Sequence, residues 1–308
     1  MPRISWKAAF EAARLHPCLP LLLRACRTVE QAQVELRWLL KETPRSVRQA
    51  CVLRSRHVPL QYVIGTQPFG CLDIVCRRNV LIPRWETEEW TTELIAGING
   101  SVLSSVHGGI KIYDLCSGTG CVPLLMKSQL QCDAHFTAID VSRHAVRLIR
   151  LNLNRLFSKG GSPADFRIMQ RDILHEYPPI MPDGRIDIVT CNPPYIRRQD
   201  FVTDVQKSVK LYEPKLALIG DLEFYQNLLD HWLPRTDSFV YEIGNMGQFD
   251  FISKTVRQDP NLSQIWNVGL KFDSNNSPRC VYGFKSENTR LDYRKIFQNF
   301  GNIMHSCK

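Results

Sequence analysis

No stretch of this chain is long and apolar enough to cross a bilayer; the nearest, Leu19 to Leu23, is short and broken by Pro20. No two of its eleven cysteines stand at C-x-x-C spacing, and no histidines cluster beside Cys71 and Cys76 or Cys116 and Cys121. An odd number of cysteines scattered through apolar segments makes a poor disulfide scaffold, so reduced thiols and no metal are expected. Internal repeats are missing too. Aspartate is absent from residues 1–64, where eleven Lys and Arg meet four acids, all Glu. That surplus of seven dominates the net charge of +9, because the rest of the chain carries 28 cations against 26 anions. A basic module on a nearly neutral body suits docking to an acidic partner or to ribosomal RNA, and equally a solvated basic face.

With 308 residues, 44% hydrophobic and 22% charged, the chain can bury a large core and fill two domains. Residues 1–64 read as helical: Thr28 with Gln31 forms a capping box, and Ala32, Leu36, Leu39 and Leu40 fall on one face at helical spacing. Gly65 to Pro83 mixes Gly, Pro and the alternating Leu72 and Ile74, which predicts a β-hairpin linker over 65–84. An α/β domain over 85–286 follows. It opens with a helix from Thr87 to Gly97 and a Gly/Ser/His-rich loop from Asn99 to Gly109. Its sheet runs through Asp114, Asp140, Gln170, Asn192 and Phe239 to Ile243, and ends in an antiparallel pair, Ile265–Phe272 and Cys280–Phe284, joined by a turn-rich connection. Residues 287–308 read as a polar, loosely ordered tail with room for a short helix from Asp292 to Phe300.

The residues that carry chemistry sit at the ends of these strands. Ile110 to Leu125 reads as a strand, a Gly-containing turn and a helix, with Gly118 and Gly120 letting the backbone approach a ligand. The next strand ends in Asp140, twenty positions after Gly120, the spacing at which a carboxylate accepts both hydroxyls of a ribose. Asp172 follows the strand from Phe166 to Arg171, and Asn192-Pro193-Pro194-Tyr195 follows the apolar strand from Ile186 to Cys191. Each acid alone also suits a helix cap or turn. Together, Asp114, Asp140, Asp172 and Asn192 mark the carboxyl edge where open α/β sheets bind ligands. The two prolines restrict the backbone around Asn192. A planar NH2 group can then give one hydrogen to the Asn192 side-chain oxygen and one to a main-chain carbonyl, with Tyr195 as an aromatic wall.

This series resembles the class I S-adenosylmethionine-dependent methyltransferases, and more closely the HemK/PrmC family of release factor glutamine N5-methyltransferases, in its fungal mitochondrial type. The likeness extends to Pro59-Leu60-Gln61-Tyr62-Val63-Ile64-Gly65, Phe69-Gly70-Cys71-Leu72-Asp73, Val80-Leu81-Ile82-Pro83-Arg84-Trp85-Glu86-Thr87-Glu88, Tyr212-Glu213-Pro214-Lys215-Leu216-Ala217-Leu218 and Tyr241-Glu242-Ile243-Gly244. It implies a Rossmann-like seven-stranded sheet, a small helical domain that docks a class 1 release factor, and a β-hairpin linker. It also implies that S-adenosylmethionine is held by Asp114, Asp140 at the ribose, the Cys116-Ser117-Gly118-Thr119-Gly120 loop at the methionine end, Asp172 with Ile173 at the adenine, and Asn192. Asn192, Pro193 and Tyr195 would be catalytic, with Pro194 and Arg84 beside them on the substrate; Thr87 and Glu88 stand near the entrance, Glu88 also suiting a first-turn helix acid. Cys116 replaces a usual glycine and Trp85 a usual proline, which narrows the loop's backbone freedom and makes the pocket rim bulkier.

Because a carboxamide nitrogen is a poor nucleophile and the donor is already activated, positioning should contribute more than proton removal. Three rivals stay open: an adenine-N6 nucleic-acid methyltransferase using the same clamp on a flipped base, a catalytically silent mitochondrial RNA-binding or assembly factor, and a small-metabolite methyltransferase. The neutral catalytic body argues against direct nucleic-acid binding, and a monomer free of membrane is expected. The first 27 residues carry five Arg or Lys against one acid with apolar residues between, which suits a mitochondrial presequence and equally the first helices of the docking domain; the bipartite architecture of the family makes the matrix the expected compartment.

Overall fold

Ser5, Thr28 and Ser46 each accept the backbone N–H three residues ahead and so start three of the amino-terminal helices. The computed structural model describes residues 4–101, 108–157, 164–175, 184–287 and 290–306. Helices α1 (Trp6–Leu15), α2 (Leu19–Cys26), α3 (Val29–Glu42), α4 (Val47–Ser55) and α5 (Leu60–Ile64) close over a core of their own that includes Ala12, Leu22, Leu23, Leu36, Leu39, Ala50 and Val63. Leu40 departs from the expected face and is 58% exposed. At 100° per residue it lies about 80° round the helix from Ala32, whereas Leu36 and Leu39 lie within about 40° of it.

A hairpin follows, β1 (Thr66–Phe69) against β2 (Leu72–Val75), antiparallel in the register Thr66 to Val75. It is tied to the body by Asn152, whose Oδ1 accepts from Val75 N at 2.9 Å and whose Nδ2 donates to the carbonyls of Val75 and Thr119. Helix α6 (Trp85–Ser101) is longer than the expected Thr87–Gly97. Of the expected loop from Asn99 to Gly109, residues 102–107 lie outside the described residues.

The sheet begins with β3 (Ile110–Leu115), then α7 (Cys121–Gln129), β4 (Ala134–Asp140), α8 (Arg143–Phe157), β5 (Phe166–Gln170) and β6 (Ile186–Cys191). Three short helices, α9 (Arg198–Thr203), α10 (Lys207–Tyr212) and α11 (Glu223–Asn227), precede β7 (Thr236–Glu242). Helices α12 (Met246–Gln258) and α13 (Pro260–Ser263), strands β8 (Trp266–Phe272) and β9 (Pro278–Lys285), α14 (Tyr293–Ile296) and β10 (Asn302–His305) complete the chain. The strand order is β10-β8-β9-β7-β6-β3-β4-β5, parallel from β7 to β5 and antiparallel beyond β7. Both faces are covered, as a parallel sheet requires: Ile110 and Ile112 point into one apolar layer with Trp90, Leu94 and Leu124, while Tyr113 and Leu115 point into the other with Trp232, Phe249 and Ile252.

An eighth strand joins the seven expected. The polar tail expected over 287–308 supplies it, and before it α14 with Leu291, Tyr293, Ile296, Phe297 and Phe300 buried in the main core. Phe297 stacks on Phe284 and on Tyr282 with ring centres 5.3 and 5.2 Å apart, so a few aromatic anchors hold this otherwise charged segment. The chain leaves β3 towards β4 on one side and returns to β6 on the other. In that register Leu115 lies beside Cys191, and the loops after β3 and β6 open next to each other at the switch point of the sheet.

Candidate active site

At this switch point lies a cavity of about 490 Å³, lined on three sides by the segment 79–84, the loop after β3 and the ends of β4 and β5, and closed by Asn192, Pro194 and the 214–217 turn. Its volume suits a ligand the size of a nucleoside derivative. Asp114 is the penultimate residue of β3, and Thr190 of β6 donates its hydroxyl to Asp114 Oδ1 at 2.7 Å. Burial pushes the Asp114 carboxyl up to about 7 against that hydrogen bond, with the nearby Asp140 charge adding to the rise. Asp140 ends β4 and accepts two backbone N–H groups, from Ser142 on Oδ1 and from Gly118 on Oδ2, each at 2.8 Å. Burial raises its pKa while those two bonds oppose the rise. The carboxylate is thereby held at the cavity wall, each oxygen retaining a lone pair for a further donor.

The loop between β3 and α7 is built from left-handed residues. Cys116 has φ +54°, Gly118 φ +57° and Gly120 φ +81°. Cys116 therefore takes the conformation that glycine would adopt without strain, and still lines the cavity. Gly118 faces open space, since an added Cβ would meet nothing nearer than 4.0 Å. Gly120 lies outside the cavity lining; its Cα packs against Leu124 and Ile149, where a Cβ would come within 3.1 Å of Ile149. Ser117 and Thr119 line the cavity, and the buried Thr119 Oγ1 has no hydrogen-bond partner among the described residues. Two carboxylates, an open glycine and that unpartnered hydroxyl fit a donor that carries a cationic sulfonium, an amino acid end and a ribose.

Asp172 and Ile173 line the far end. Asp172 also caps a turn, accepting Leu174 N at 3.0 Å and meeting His175 Nδ1 at 3.1 Å. Arg84 lines the rim and pairs with Glu213 at 2.9 Å; Glu213 also accepts Ile82 N, which locks the 79–84 segment to the Tyr212–Pro214 turn. Glu88 lies in the first turn of α6 and Trp85 is about half exposed, and neither lines the cavity. The bulkier rim expected from Trp85 is not formed, because the helix points its first side chain outward.

Asn192 and Pro194 line the cavity, whereas the side chains of the adjoining Pro193, which is buried, and Tyr195, which is half-buried, are not part of its lining. Asn192 Nδ2 donates to Thr87 Oγ1 at 3.1 Å, and its Oδ1 has no partner among the described residues. Tyr195 turns its hydroxyl inward to Glu242 Oε1 at 3.0 Å. Burial and the Glu242 charge hold that phenol well above its usual pKa, so it is no proton acceptor. Glycines let this loop lie close to its neighbours: a Cβ on Gly220 would strike the Pro194 carbonyl at 2.3 Å, and one on Gly244 the Tyr195 ring at 2.7 Å.

Glu242 joins the site although nothing in the Tyr241-Glu242-Ile243-Gly244 run itself points to a role for it. It is fully buried and accepts the Thr87 hydroxyl at 2.7 Å and the Trp90 indole N–H at 3.0 Å, both on Oε2. Burial raises its pKa against those bonds and the Arg279 charge. Trp90 and Thr87 lie more than 150 positions away, and no local spacing announces the cluster.

Residues 101–217 match the family model described as the methyltransferase small domain. The Saccharomyces cerevisiae protein named mitochondrial MRF1 N(5)-glutamine methyltransferase MTQ1 is 48% identical over 307 residues, covering 99% of this chain and 96% of that one. The Schizosaccharomyces pombe protein named "Probable MRF1 mitochondrial N(5)-glutamine methyltransferase mtq1" is 32% identical over 318 residues, 95% of this chain and 99% of its own. Among solved structures, the hMettl16 catalytic domain in complex with MAT2A 3'UTR hairpin 6 matches at a TM-score of 0.52 over 78% of this chain and 83% of that one. At 16% identity that is a likeness of fold alone.

Proposed function

The chain belongs to the release factor N5-glutamine methyltransferases and is an S-adenosylmethionine-dependent enzyme, and we propose that its acceptor is the glutamine side-chain amide in the Gly-Gly-Gln motif of a mitochondrial class 1 peptide chain release factor. The observation that carries this is the state of Asn192. Its amide nitrogen is occupied by Thr87, and Oδ1 is left as a bare acceptor at the edge of the donor cavity. The Pro193 carbonyl, which accepts no hydrogen bond among the described residues, supplies the second acceptor. Two oxygens match the two N–H hydrogens of a carboxamide, and flanking glycines let a loop enter without side-chain clashes.

S-adenosylmethionine, when bound, supplies a methyl group on a cationic sulfur. Asp140 would hold the ribose and Asp114 with the 116–119 loop the methionine end; Asp172 and Ile173 would border the adenine. As the acceptor nitrogen takes the methyl group, whose bond to sulfur breaks in the same step, it loses amide resonance and gains positive charge. Asn192 Oδ1 and the Pro193 carbonyl then stabilise it better than they stabilise the resting amide. The nitrogen returns to a neutral amide by releasing one N–H proton to water. Tyr195 holds the loop's shape from behind, and Arg84 and Pro194 guide the entering chain.

The helical module over 1–64 docks the release factor, the hairpin within 65–84 sets its distance from the cavity, and 85–286 with the carboxy-terminal segment forms the catalytic body. The enzyme works as a monomer in the mitochondrial matrix, on protein and not nucleic acid. No described helix is long and apolar enough to cross a membrane.

The test is to incubate the enzyme with labelled donor and either the release factor or its loop variant with Gln replaced by Glu. Label is expected on the glutamine form alone. Equal label on both, or label only on added RNA or DNA, overturns the assignment.

A further inference from the structure

We propose that Trp90, Glu242 and Thr87 are positioning residues that dictate which end of the Asn192 amide faces the acceptor; this rests on the reading of Asn192 as the group that grips the acceptor. An asparagine amide is nearly symmetric in shape, and a flip would present N–H donors to a substrate N–H and abolish the grip. Something must set its polarity, and the neighbours do so in sequence.

The indole N–H of Trp90 can only donate. Its bond to Glu242 Oε2 at 3.0 Å, with the Arg279 guanidinium 3.8 Å from Oε1, favours the ionised carboxylate, in which Oε2 can only accept. Thr87 Oγ1 lies 2.7 Å from the same oxygen, so the threonine must give its single hydrogen to Glu242. Only lone pairs then remain on Oγ1 for Asn192, 3.1 Å away, and the amide must turn its nitrogen to Thr87 and Oδ1 to the cavity. Tyr195 and Arg279 sit on the other carboxylate oxygen, at 3.0 and 3.8 Å, and do not compete for Oε2. Trp90 and Glu242 are fully buried, Thr87 is 2% exposed, and all three stand on α6 and β7, which gives the relay a rigid frame. The donor cavity meets this relay only at Thr87 and Asn192.

The decisive variants are Thr87→Val, which keeps the shape and removes the hydroxyl, and Thr87→Ser, which restores it. Single-turnover rates with labelled donor and the release factor should fall about 10- to 100-fold in Thr87→Val, the range for losing an orienting partner one step from the reacting group. Donor affinity should stay within about twofold, since the loss falls on the acceptor side. Thr87→Ser should recover most of the rate. In an Asn192→Ala background, where no amide is left to orient, Thr87→Val should change the residual rate by less than about twofold. If Thr87→Val does not fold, Thr87→Ala carries the same expectations. A Thr87→Val enzyme as fast as the parent, a serine variant as slow as the valine, or an equal slowing in the Asn192→Ala background each overturns the relay. Failure of the parent enzyme to label glutamine would instead overturn the acceptor assignment, so the two failures are separable.

Discussion

Asp114 is the residue where burial and charge most directly meet the donor. Its carboxyl is pushed up to about 7 in the donor-free protein, because desolvation outweighs the Thr190 hydrogen bond. A ligand carrying a sulfonium and an ammonium in the same cavity favours the ionised form, so binding should release a proton near neutrality. Donor affinity should therefore rise about tenfold between pH 6 and pH 8, and Asp114→Asn should flatten that slope. Calorimetric titration across this range checks it; an equal slope in the asparagine variant would exclude Asp114 as the source. The same shift bears on the empty fold with the opposite sign. A folded-state pKa raised from an ordinary 3.8 gives stability that is complete below about 3.8 and is lost as pH rises through about 7, and bound donor restores it.

At the scale of elements, the carboxy-terminal segment contributes more than its composition suggests. Phe297 is almost wholly buried between Tyr282 and Phe284, and α14 comes so close to α6 that a Cβ on Gly97 would strike the Ile296 carbonyl at 2.2 Å. Phe297→Ala should cost about 3 to 5 kcal/mol of unfolding free energy, read from urea denaturation. A loss below about 1 kcal/mol would mean that the tail merely rests on the sheet. The short helix of this segment is legible in the sequence, but its burial and the strand after it are not, because its aromatic residues are separated by charges and the last strand follows no apolar period. The central strands are legible for the opposite reason: Ile186 to Cys191 and Ile110 to Leu115 are apolar runs that end in polar turn residues. Asp140 is found by its spacing from Gly120, and Asn192 by its prolines. Gly120 shares the glycine pattern yet packs against Ile149, since a left-handed turn needs glycine whether or not a ligand approaches. Glu242 escapes because a buried carboxylate acquires its meaning from Thr87 and Trp90, which only the sheet brings to it.

Over the whole molecule, the basic module is coupled to the cavity by short rigid steps. Tyr212 at the end of α10 donates to the Arg56 carbonyl at the end of α4, and the next residue, Glu213, holds Arg84 and Ile82 at the cavity rim. Tyr62 of α5 donates to the carbonyl of Val80, another cavity residue, at 2.7 Å. A partner docked on the module, as proposed, would thus be held at a set distance from Asn192. Arg24, Arg37 and Lys41 are exposed on α2 and α3, away from the module's core. Reversing all three to Glu lowers the module's surplus from seven to one and should leave its packing intact. If the surplus steers an acidic face of the release factor, the triple variant should raise KM for the full-length factor by about tenfold at low salt and by less at high salt. Donor affinity and turnover on a short Gly-Gly-Gln peptide should not change, because neither touches the module. Equal losses on the peptide and the full-length factor would show that these charges support the fold, and an unchanged KM with salt-independent rates would show that docking rests on the module's apolar surface.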